Sequence, residues 1–298
     1  MIDLHTHSNA SDGSLSPSRL LQTAAARGLS ALALTDHDTI DGLDGASKEA
    51  EALSIRFIPG IEMEIHWEPG AYGPKGSPAG EFHLLGLGIR RPGRMLLAAI
   101  DELSRLREER NLRILDRMRG LNIPADYGDL RALSGGNSIG RPHFAALLVN
   151  RRIVKNREQA FSRYLGKGKP LYVSKAGLEF RRAVDCVKES GGIAVLAHPM
   201  SLYVSWGRLP DLIKDLARKG LEGIEAWHPT AKLQSCERLE ELGKSLGLYI
   251  TAGSDFHGEA RPDRKLGVTA GGRKIEDAIL ERIPPLWRER DHPAESTS

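Results

Sequence analysis

The sequence predicts an α/β protein built on a barrel of seven parallel strands. Apolar segments of strand length alternate with segments of helical period along most of the 298 residues. Most of the apolar segments end in a histidine or a carboxylate, and strand ends converge on the face of a parallel barrel where active sites form. The length suits one large barrel or two ordinary domains, and the alternation favours the barrel. Closure of the sheet is an inference from this alternation.

The first part of the chain begins with a short apolar strand that ends in His5 and His7. Histidines two residues apart on a strand point to the same face, although one isolated pair is also compatible with an exposed polar stretch. A helix follows, from a predicted N-cap at Ser16 to a stop at Gly28. Further strands are predicted at 29–35, 55–65 and 82–89, with a helix at 43–53 and a loop rich in Gly and Pro at 67–80.

Beyond the fourth strand the pattern changes to helical spacing among many arginines. We predict a mainly helical insertion at 95–170, set into a barrel formed by 1–94 and 171–298. Between residues 90 and 175 the chain has 19 Lys and Arg against 8 Asp and Glu, although its overall net charge is only +3. A basic insertion predicts attraction of an anionic substrate, whereas most charge runs are simply solvated helical faces.

The alternation of strands and helices resumes in the last part of the chain. Three more strands end at His198, at His228, and at Asp255 with His257. These strands are predicted at 193–199, 221–229 and 248–257, and the helices between and before them at 180–190, 209–219 and 232–246. The polar tail beyond Pro284 has no periodicity, so we expect it to fray.

Composition indicates a globular protein without a membrane partner. Hydrophobic residues make up 40% of the chain, and no apolar run approaches the roughly 20 residues of a membrane span. The N-terminus lacks the basic and apolar regions of a signal peptide. The two cysteines, Cys186 and Cys236, do not form a C-x-x-C motif, so we expect them to be reduced. These features favour a cytoplasmic location, and no obligate protein partner is evident.

Histidines and carboxylates recur at the predicted strand ends. A single histidine there is often a packed or hydrogen-bonded residue, but so many imidazoles and carboxylates would crowd together without partners. A cluster of divalent metal ions resolves this crowding. Nitrogen and oxygen donors without thiolate suit Mn²⁺, Zn²⁺ or Fe²⁺. The candidate ligands are too many for one ion and fit two or three: His5, His7, Asp12, His37, Glu62, His83, His198, Asp255 and His257.

Several short motifs resemble those of the PHP (polymerase and histidinol phosphatase) family of metal-dependent phosphoesterases, in family order. They are Asp3-Leu-His-Thr-His-Ser8, Ser11-Asp-Gly13, Thr35-Asp-His-Asp38, Gly60-Ile-Glu62, His83 in its strand, Ala197-His-Pro199 and Gly253-Ser-Asp-Phe-His257. The resemblance implies a distorted (β/α)7, TIM-like barrel with a site for three ions. By position, the first ion would be held by His5, His7, Glu62 and Asp255, the second by Glu62, His83 and His198, and the third by Asp12, His37 and His257. Some members of the family have histidine at the position of Asp12.

The insertion and the stretch Gly140-Arg-Pro-His143 resemble one branch of this family. That branch hydrolyses 3′,5′-nucleoside bisphosphates or trims RNA from its 5′ end. The resemblance implies a phosphoesterase that acts on phosphate monoesters of a nucleotide or short oligonucleotide. We hypothesise that a hydroxide held between two ions attacks phosphorus.

Three residues outside the ligand set are predicted to act on the substrate. We expect Arg141 and His143 to bind phosphate, and His228 to protonate the leaving oxygen. An ordinary surface arginine is the alternative for Arg141, and a strand-end residue packed beside Pro229 is the alternative for His228. Asp38 is expected to orient His37.

Three other functions compete with this prediction. Histidinol-phosphate phosphatase would use the same chemistry, but the basic insertion exceeds what one phosphate needs. A non-catalytic regulatory or binding module would keep the fold, although every ligand position is filled. Metal-dependent amide hydrolysis on a similar barrel would call for a bridging lysine, and none is evident at a strand end.

Overall fold

A seven-stranded sheet forms the centre of the computed structural model, which describes residues 1–68, 70–72, 80–134, 138–174 and 176–287. The strands are neighbours in chain order. They are β1 (Ile2–Asp3), β2 (Ala31–Leu34), β3 (Arg56–Glu64), β4 (His83–Leu87), β5 (Ile193–Leu196), β6 (Gly223–Trp227) and β7 (Tyr249–Ala252). The helices outside the 95–170 region are α1 (Pro17–Ala26), α2 (Leu43–Leu53), α7 (Phe180–Glu189), α8 (Leu209–Arg218), α9 (Leu233–Ser245), α10 (Asp277–Glu281) and α11 (Pro284–Trp287).

Strand β4 corrects the expectation of a wholly parallel barrel, because it runs antiparallel to both β3 and β5. The chain leaves β3 at Glu64 and returns to the sheet at His83, directly opposite Glu64. Only a 3₁₀ turn at Gly70–Tyr72 is described in this connection, and most of the predicted loop at 67–80 lies outside the described residues. A parallel return would need a crossover to the other end of the sheet. The start of β4 therefore lies where the parallel strands end.

Backbone hydrogen bonds join the first strand to the last and close the sheet. The Leu4 amide donates to the Ala252 carbonyl at 3.3 Å, and the Asp255 amide donates to the His5 carbonyl at 3.0 Å. The next such bond runs from the His7 amide to the Phe256 carbonyl at 2.9 Å. These bonds confirm the predicted barrel.

Side chains of each strand alternate between the barrel interior and the helices outside it. Along β2, Ala31 and Ala33 belong to the inner cluster, whereas Leu32 and Leu34 pack with α1 and α2. This alternation is the two-residue period of an extended strand. Because both faces of these strands are buried, their sequences are continuous apolar runs rather than alternating apolar and polar residues.

The region at 95–170 contains helices and a separate hydrophobic core. Its helices are α3 (Arg94–Gly120), α4 (Tyr127–Ser134), α5 (Arg141–Asn150) and α6 (Arg157–Ala160), with a π-helical turn at Phe161–Leu165. The first part of α3 packs on the barrel through Leu96 and Leu103. Its second part packs on α5 through a cluster that includes Ile114, Met118 and Phe144. The division of the chain at 94/95 and 170/171 stays a prediction.

No helix in the described part of the chain is long and apolar enough to cross a membrane. The predicted tail begins with the short helix α11, and residues 288–298 lie outside the described residues.

Candidate metal centre and cleft

The structure brings all nine predicted ligands together at one end of the barrel. We call these nine residues the histidine–carboxylate cluster. They come from strand ends or from the turns just after them, except that His83 starts the antiparallel β4. Most are almost completely buried, including His5, His7 and Glu62, whose exposed fraction is 0%.

Glu62 lies between two groups of histidines. Its Oε2 atom is 3.3 Å from the Nε2 atoms of both His5 and His7. Asp255 Oδ1 lies 3.4 Å from His7 Nε2 and 3.7 Å from His5 Nε2. Four donor atoms thus face one another in the combination that the family resemblance implies for the first ion.

The other oxygen of Glu62 faces the second implied group. Its Oε1 atom is 2.9 Å from both His83 Nδ1 and His198 Nε2, and these two nitrogens are 3.2 Å apart. One carboxylate therefore reaches both groups. This is the arrangement of a carboxylate that can bridge two ions.

The third group contains Asp12, His37 and His257, with His7 close enough to join it. Asp12 Oδ1 and His257 Nε2 lie 3.1 Å apart. Both atoms are buried and lack a hydrogen-bond partner among the described residues, because their relative orientation does not suit a hydrogen bond. A buried acceptor and a buried nitrogen without partners are costly, and a cation between them would satisfy both.

Protonation within the cluster also indicates a place for positive charge. Burial alone would lower the pKa of His7, but the nearby carboxylates of Asp255 and Glu62 raise this pKa to about 9. Burial opposes ionisation of Glu62 and Asp255, yet the imidazoles around them hold both pKa values well below the ordinary range. The carboxylates therefore need a cationic partner, and divalent ions can replace the imidazole protons in that role. The nitrogen and oxygen donors fit Mn²⁺, Zn²⁺ or Fe²⁺.

Further side chains orient the histidines of the cluster. Glu225 Oε1 lies 3.0 Å from His5 Nδ1, and its Oε2 accepts a hydrogen bond from the His198 amide at 2.7 Å. Glu64 Oε2 lies 3.0 Å from His83 Nε2, and Ser201 Oγ lies 2.7 Å from His198 Nδ1. Each contact leaves the other ring nitrogen facing the cluster, which is how proteins fix the tautomer of a ligating histidine.

Three aspartates near the cluster support the backbone. Asp3 accepts hydrogen bonds from the Ser254 amide at 3.0 Å and the Gly267 amide at 2.7 Å, and burial raises its pKa to about 6. Asp36 accepts from the Ser8 amide at 2.8 Å, in the turn after His7. Asp38 accepts from the Glu64 amide at 2.9 Å and pairs with Arg107. These contacts replace the expected pairing of Asp38 with His37.

The backbone at the cluster adopts conformations that most residues avoid. His198 has a φ of 27° and Asp255 a φ of 53°, in the left-handed region. Gly253 lies so close to His5 that a Cβ atom there would be 2.2 Å from the His5 Cβ. Such strain and close contact are typical of functional sites.

A cleft of about 480 Å³ opens above the cluster. Cluster residues and His228 form its acidic and imidazole floor, and part of the basic helical region forms a wall. The guanidinium groups that line it belong to Arg107, Arg110, Arg141, Arg157, Arg261 and Arg264. The cleft therefore combines a cation-binding floor with an anion-attracting wall.

The three predicted substrate residues have different surroundings. Arg141 lines the cleft and pairs with Glu81 at 2.8 Å. His228 also lines the cleft. Its Nδ1 lies 2.7 Å from Thr230 Oγ1 and 3.3 Å from the Thr230 amide nitrogen, and its Nε2 lies 3.4 Å from Asp255 Oδ2. His143 does not line the cleft, because its Nδ1 accepts from the Gly140 amide at 3.0 Å and caps α5.

Sequence reasoning gave no role to Glu225, Glu64 or the arginines of α3. Glu225 lies at a strand end three residues before His228, and this position could have identified it from the sequence as a carboxylate near the cluster. Arg107 and Arg110 are three residues apart on a helix and therefore share a face, but many other arginines of this region have similar spacing. Only the packing of α3 on the barrel distinguishes these two from their neighbours.

Comparisons with known proteins agree with this geometry. Residues 3–165 match the family model described as PHP domain. The chain is 35% identical over 285 residues to a Haemophilus influenzae protein named 5′-3′ exoribonuclease, covering 96% of this chain and 97% of that protein. It is 34% identical over 289 residues to a Chromobacterium violaceum protein named 3′,5′-nucleoside bisphosphate phosphatase, covering 97% and 95%.

A solved structure described as an amidohydrolase from Chromobacterium violaceum, with bound sulfate and no metal, has the same fold. Its TM-score is 0.80 at 31% identity, and the match covers 94% of this chain and 96% of that one. The similarity thus includes both the barrel and the helical region.

Proposed function

Since the chain belongs to the PHP domain family, we propose that it hydrolyses phosphate monoesters of nucleotides, either 3′,5′-nucleoside bisphosphates or the 5′ ends of short RNA. It is a phosphoric ester hydrolase. Two relatives that it matches over nearly their whole length are named for these two activities. The observation that carries the proposal is the cleft, in which an arginine wall faces a floor of imidazoles and carboxylates.

In this proposal the histidine–carboxylate cluster holds two or three divalent ions, Mn²⁺, Zn²⁺ or Fe²⁺. His5, His7, Glu62 and Asp255 would hold one, Glu62, His83 and His198 a second, and Asp12, His37 and His257 a third. When bound, such ions neutralise phosphoryl oxygens and lower the pKa of water. The convergence of donor atoms from all three groups supports this assignment.

The protein's own side chains then position the ester and supply a proton. Arg141, which lines the cleft, can form a two-pronged contact with phosphate if its pair with Glu81 opens. His228 lines the cleft, and its buried Nε2 forms no hydrogen bond with the described residues, although Asp255 Oδ2 lies 3.4 Å away. We assign His228 as the donor to the leaving oxygen. His143, which caps α5, acts on substrate only through the position of Arg141.

The competing functions receive less support. A non-catalytic module does not agree with relatives that are named as enzymes. Histidinol phosphate has one phosphate, which leaves most of the arginine wall unused. Amide hydrolysis is the activity implied by the description of one structural relative as an amidohydrolase. That reaction would call for a metal-bridging lysine, and no lysine is among the described residues that line the cleft.

The deciding experiment compares three substrates in the presence of Mn²⁺: adenosine 3′,5′-bisphosphate, a short 5′-phosphorylated RNA and histidinol phosphate. We expect turnover of one or both nucleotide substrates and a His7→Asn variant with almost none. Absence of turnover on all three would refute the proposal. A strong preference for histidinol phosphate would instead support the single-phosphate alternative.

A further inference from the structure

Three of the cleft arginines, Arg110, Arg157 and Arg261, form no ion pair with the described residues, and Arg110 is the only buried one of these three. Arg107 pairs with Asp38, and Arg141 pairs with Glu81. Arg110 is close enough to both Arg107 and Arg141 for their charges to lower its pKa, yet it forms no ion pair with any described residue. Its exposed fraction is only 8%. A guanidinium that is both buried and unpaired is unusual.

The position of Arg110 is fixed by packing and by one hydrogen bond. Arg110 Nη2 donates to Asn111 Oδ1 at 3.2 Å, and the Asn111 amide group donates to the Ile139 carbonyl at 2.9 Å. Arg110 Nε is buried and has no hydrogen-bond partner among the described residues. The side chain thus lines the cleft with donor capacity that the protein itself leaves unused.

Electrostatics indicates what kind of group would satisfy Arg110. Burial together with the charges of Arg107 and Arg141 lowers the pKa of Arg110 to about 10, and the more weakly acting carboxylates of Glu64 and Asp38 only partly oppose this, so Arg110 stays cationic at neutral pH. A buried, unpaired cation destabilises a protein unless a counter-charge reaches it. Because no described carboxylate forms an ion pair with Arg110 and its Nε has no hydrogen-bond partner there, an anionic ligand in the cleft would supply the missing contact.

We propose that Arg110 binds a second anionic group of the substrate, one that is not the phosphate being hydrolysed. Arg110 is thereby the residue that favours bisphosphorylated nucleotides, or an RNA strand with its further phosphates, over nucleoside monophosphates. This inference rests on the proposed function and names the determinant of its substrate class. The hydrolysed phosphate lies at the cluster, and the second anion lies at the arginine wall on α3.

Kinetics of an Arg110→Gln variant tests this role. For adenosine 3′,5′-bisphosphate we expect kcat/KM to fall about 10- to 100-fold, the value of one or two charge-assisted hydrogen bonds. For adenosine monophosphates the loss should stay below about threefold, because Arg110 has no anion to bind there. The matched control is Arg113→Gln, which removes the same charge from an exposed position of α3 and should change neither value. Equal losses on both substrates would overturn the proposal.

A binding measurement separates this inference from the proposed function. Calorimetry on chelator-treated protein should show that Arg110→Met weakens binding of adenosine 3′,5′-bisphosphate at least tenfold. The melting temperature of Arg110→Met should not fall, because the variant replaces a buried unpaired charge with an apolar group. If wild type binds the bisphosphate through Arg110 but hydrolyses no nucleotide, the proposed function fails and the anion site stands. If nucleotides are hydrolysed and Arg110→Met binds as wild type does, only the role of Arg110 fails.

Discussion

At the scale of single residues, His228 combines a fixed ring orientation with access to the cleft. Thr230 Oγ1 lies 2.7 Å from His228 Nδ1 and holds the ring with Nε2 on the side of Asp255 Oδ2, which is 3.4 Å away. Burial lowers the pKa of His228, although Asp255 nearby opposes this. Donation to a leaving alkoxide requires the imidazolium form of His228, which returns to the neutral ring when it gives up the Nε2 proton, and a lowered pKa makes that proton easier to release.

We expect His228→Asn to lower kcat for nucleotide substrates about 100-fold or more, which is the usual contribution of a general acid. For p-nitrophenyl phosphate the loss should be below about tenfold, because nitrophenolate leaves without a proton. Steady-state kinetics on both substrates measures the difference. The control is His66→Asn, because His66 is exposed and does not line the cleft. A similar loss on both substrates would argue that His228 binds phosphate instead.

Glu225 is the second residue whose role depends on contacts across the barrel. It orients His5 through Nδ1 and also fixes the backbone amide of His198. A glutamine at this position keeps only one acceptor oxygen for these two contacts, so one of the two would be lost together with the negative charge beside His5.

Glu225→Gln should therefore weaken Mn²⁺ binding about 10- to 100-fold. Calorimetric titration of chelator-treated protein gives the affinity directly. Glu237→Gln, an exposed carboxylate on α9, is the control with the same change in charge. Unchanged Mn²⁺ affinity in Glu225→Gln would show that the ion does not depend on His5 and its orientation.

At the scale of elements, helix α4 begins with a reciprocal cap. Asp126 Oδ1 accepts from the Asp129 amide at 2.9 Å, and Asp129 Oδ2 accepts from the Asp126 amide at 3.0 Å. Arg151, just after α5, pairs with Asp129 at 2.6 Å. The hydrogen bond from Asp126 and the charge of Arg151 lower the pKa of Asp129 below its ordinary value of 3.8. One carboxylate thus caps α4 and links it to α5.

Asp129→Asn should lower the free energy of unfolding by about 1 kcal/mol at pH 7. Because the pKa of Asp129 is lower in the folded protein, its stabilisation is complete above pH 3.8 and is lost as the pH falls through the folded value. The difference between wild type and variant should therefore narrow below about pH 4. Urea unfolding at several pH values tests this. A difference that stays constant down to pH 3 would show that ionisation of Asp129 does not matter.

The direction of β4 also belongs to the scale of elements. His83 is at the start of its strand, whereas the other cluster histidines follow strand ends. In a parallel strand this position would lie at the opposite end of the barrel. Because β4 is antiparallel, His83 reaches Glu62 and His198. Apolar periodicity predicts that a strand is present, but it carries no information on the direction of that strand. The sequence therefore identified His83 as a candidate ligand but not the antiparallel strand that brings it to the cluster.

At the scale of the whole molecule, the cluster draws on nearly every strand of the barrel. His5 and Glu225 are 220 residues apart in the chain, and His83 and His198 are 115 apart. Ions bound at the cluster would therefore tie the two ends of the barrel sheet together. Because bound ions stabilise only the folded state, the stability of the barrel should depend on them.

Removing metal with a chelator should lower the melting temperature by about 10 °C, and added Mn²⁺ should restore it. Activity should be lost and regained with the same metal dependence. The control is Glu62→Gln, in which the bridging carboxylate is absent and the chelator should have little effect. Elemental analysis of untreated protein should find more than one ion per chain. One ion or none, with no uptake of Mn²⁺, would contradict the predicted cluster.

The barrel, the helical region and the residue types of the cluster could all be predicted from the amino-acid sequence. Strand and helix periods are local properties, and imidazole and carboxylate groups keep their chemistry in any fold. The direction of β4, the support of His5 by Glu225 and the burial of Arg110 without an ion pair follow from tertiary packing. Each of these depends on which distant segments pack together. The chain holds many arginines, and the packing of α3 on the barrel buries Arg110 in the cleft wall, where no described carboxylate pairs with it.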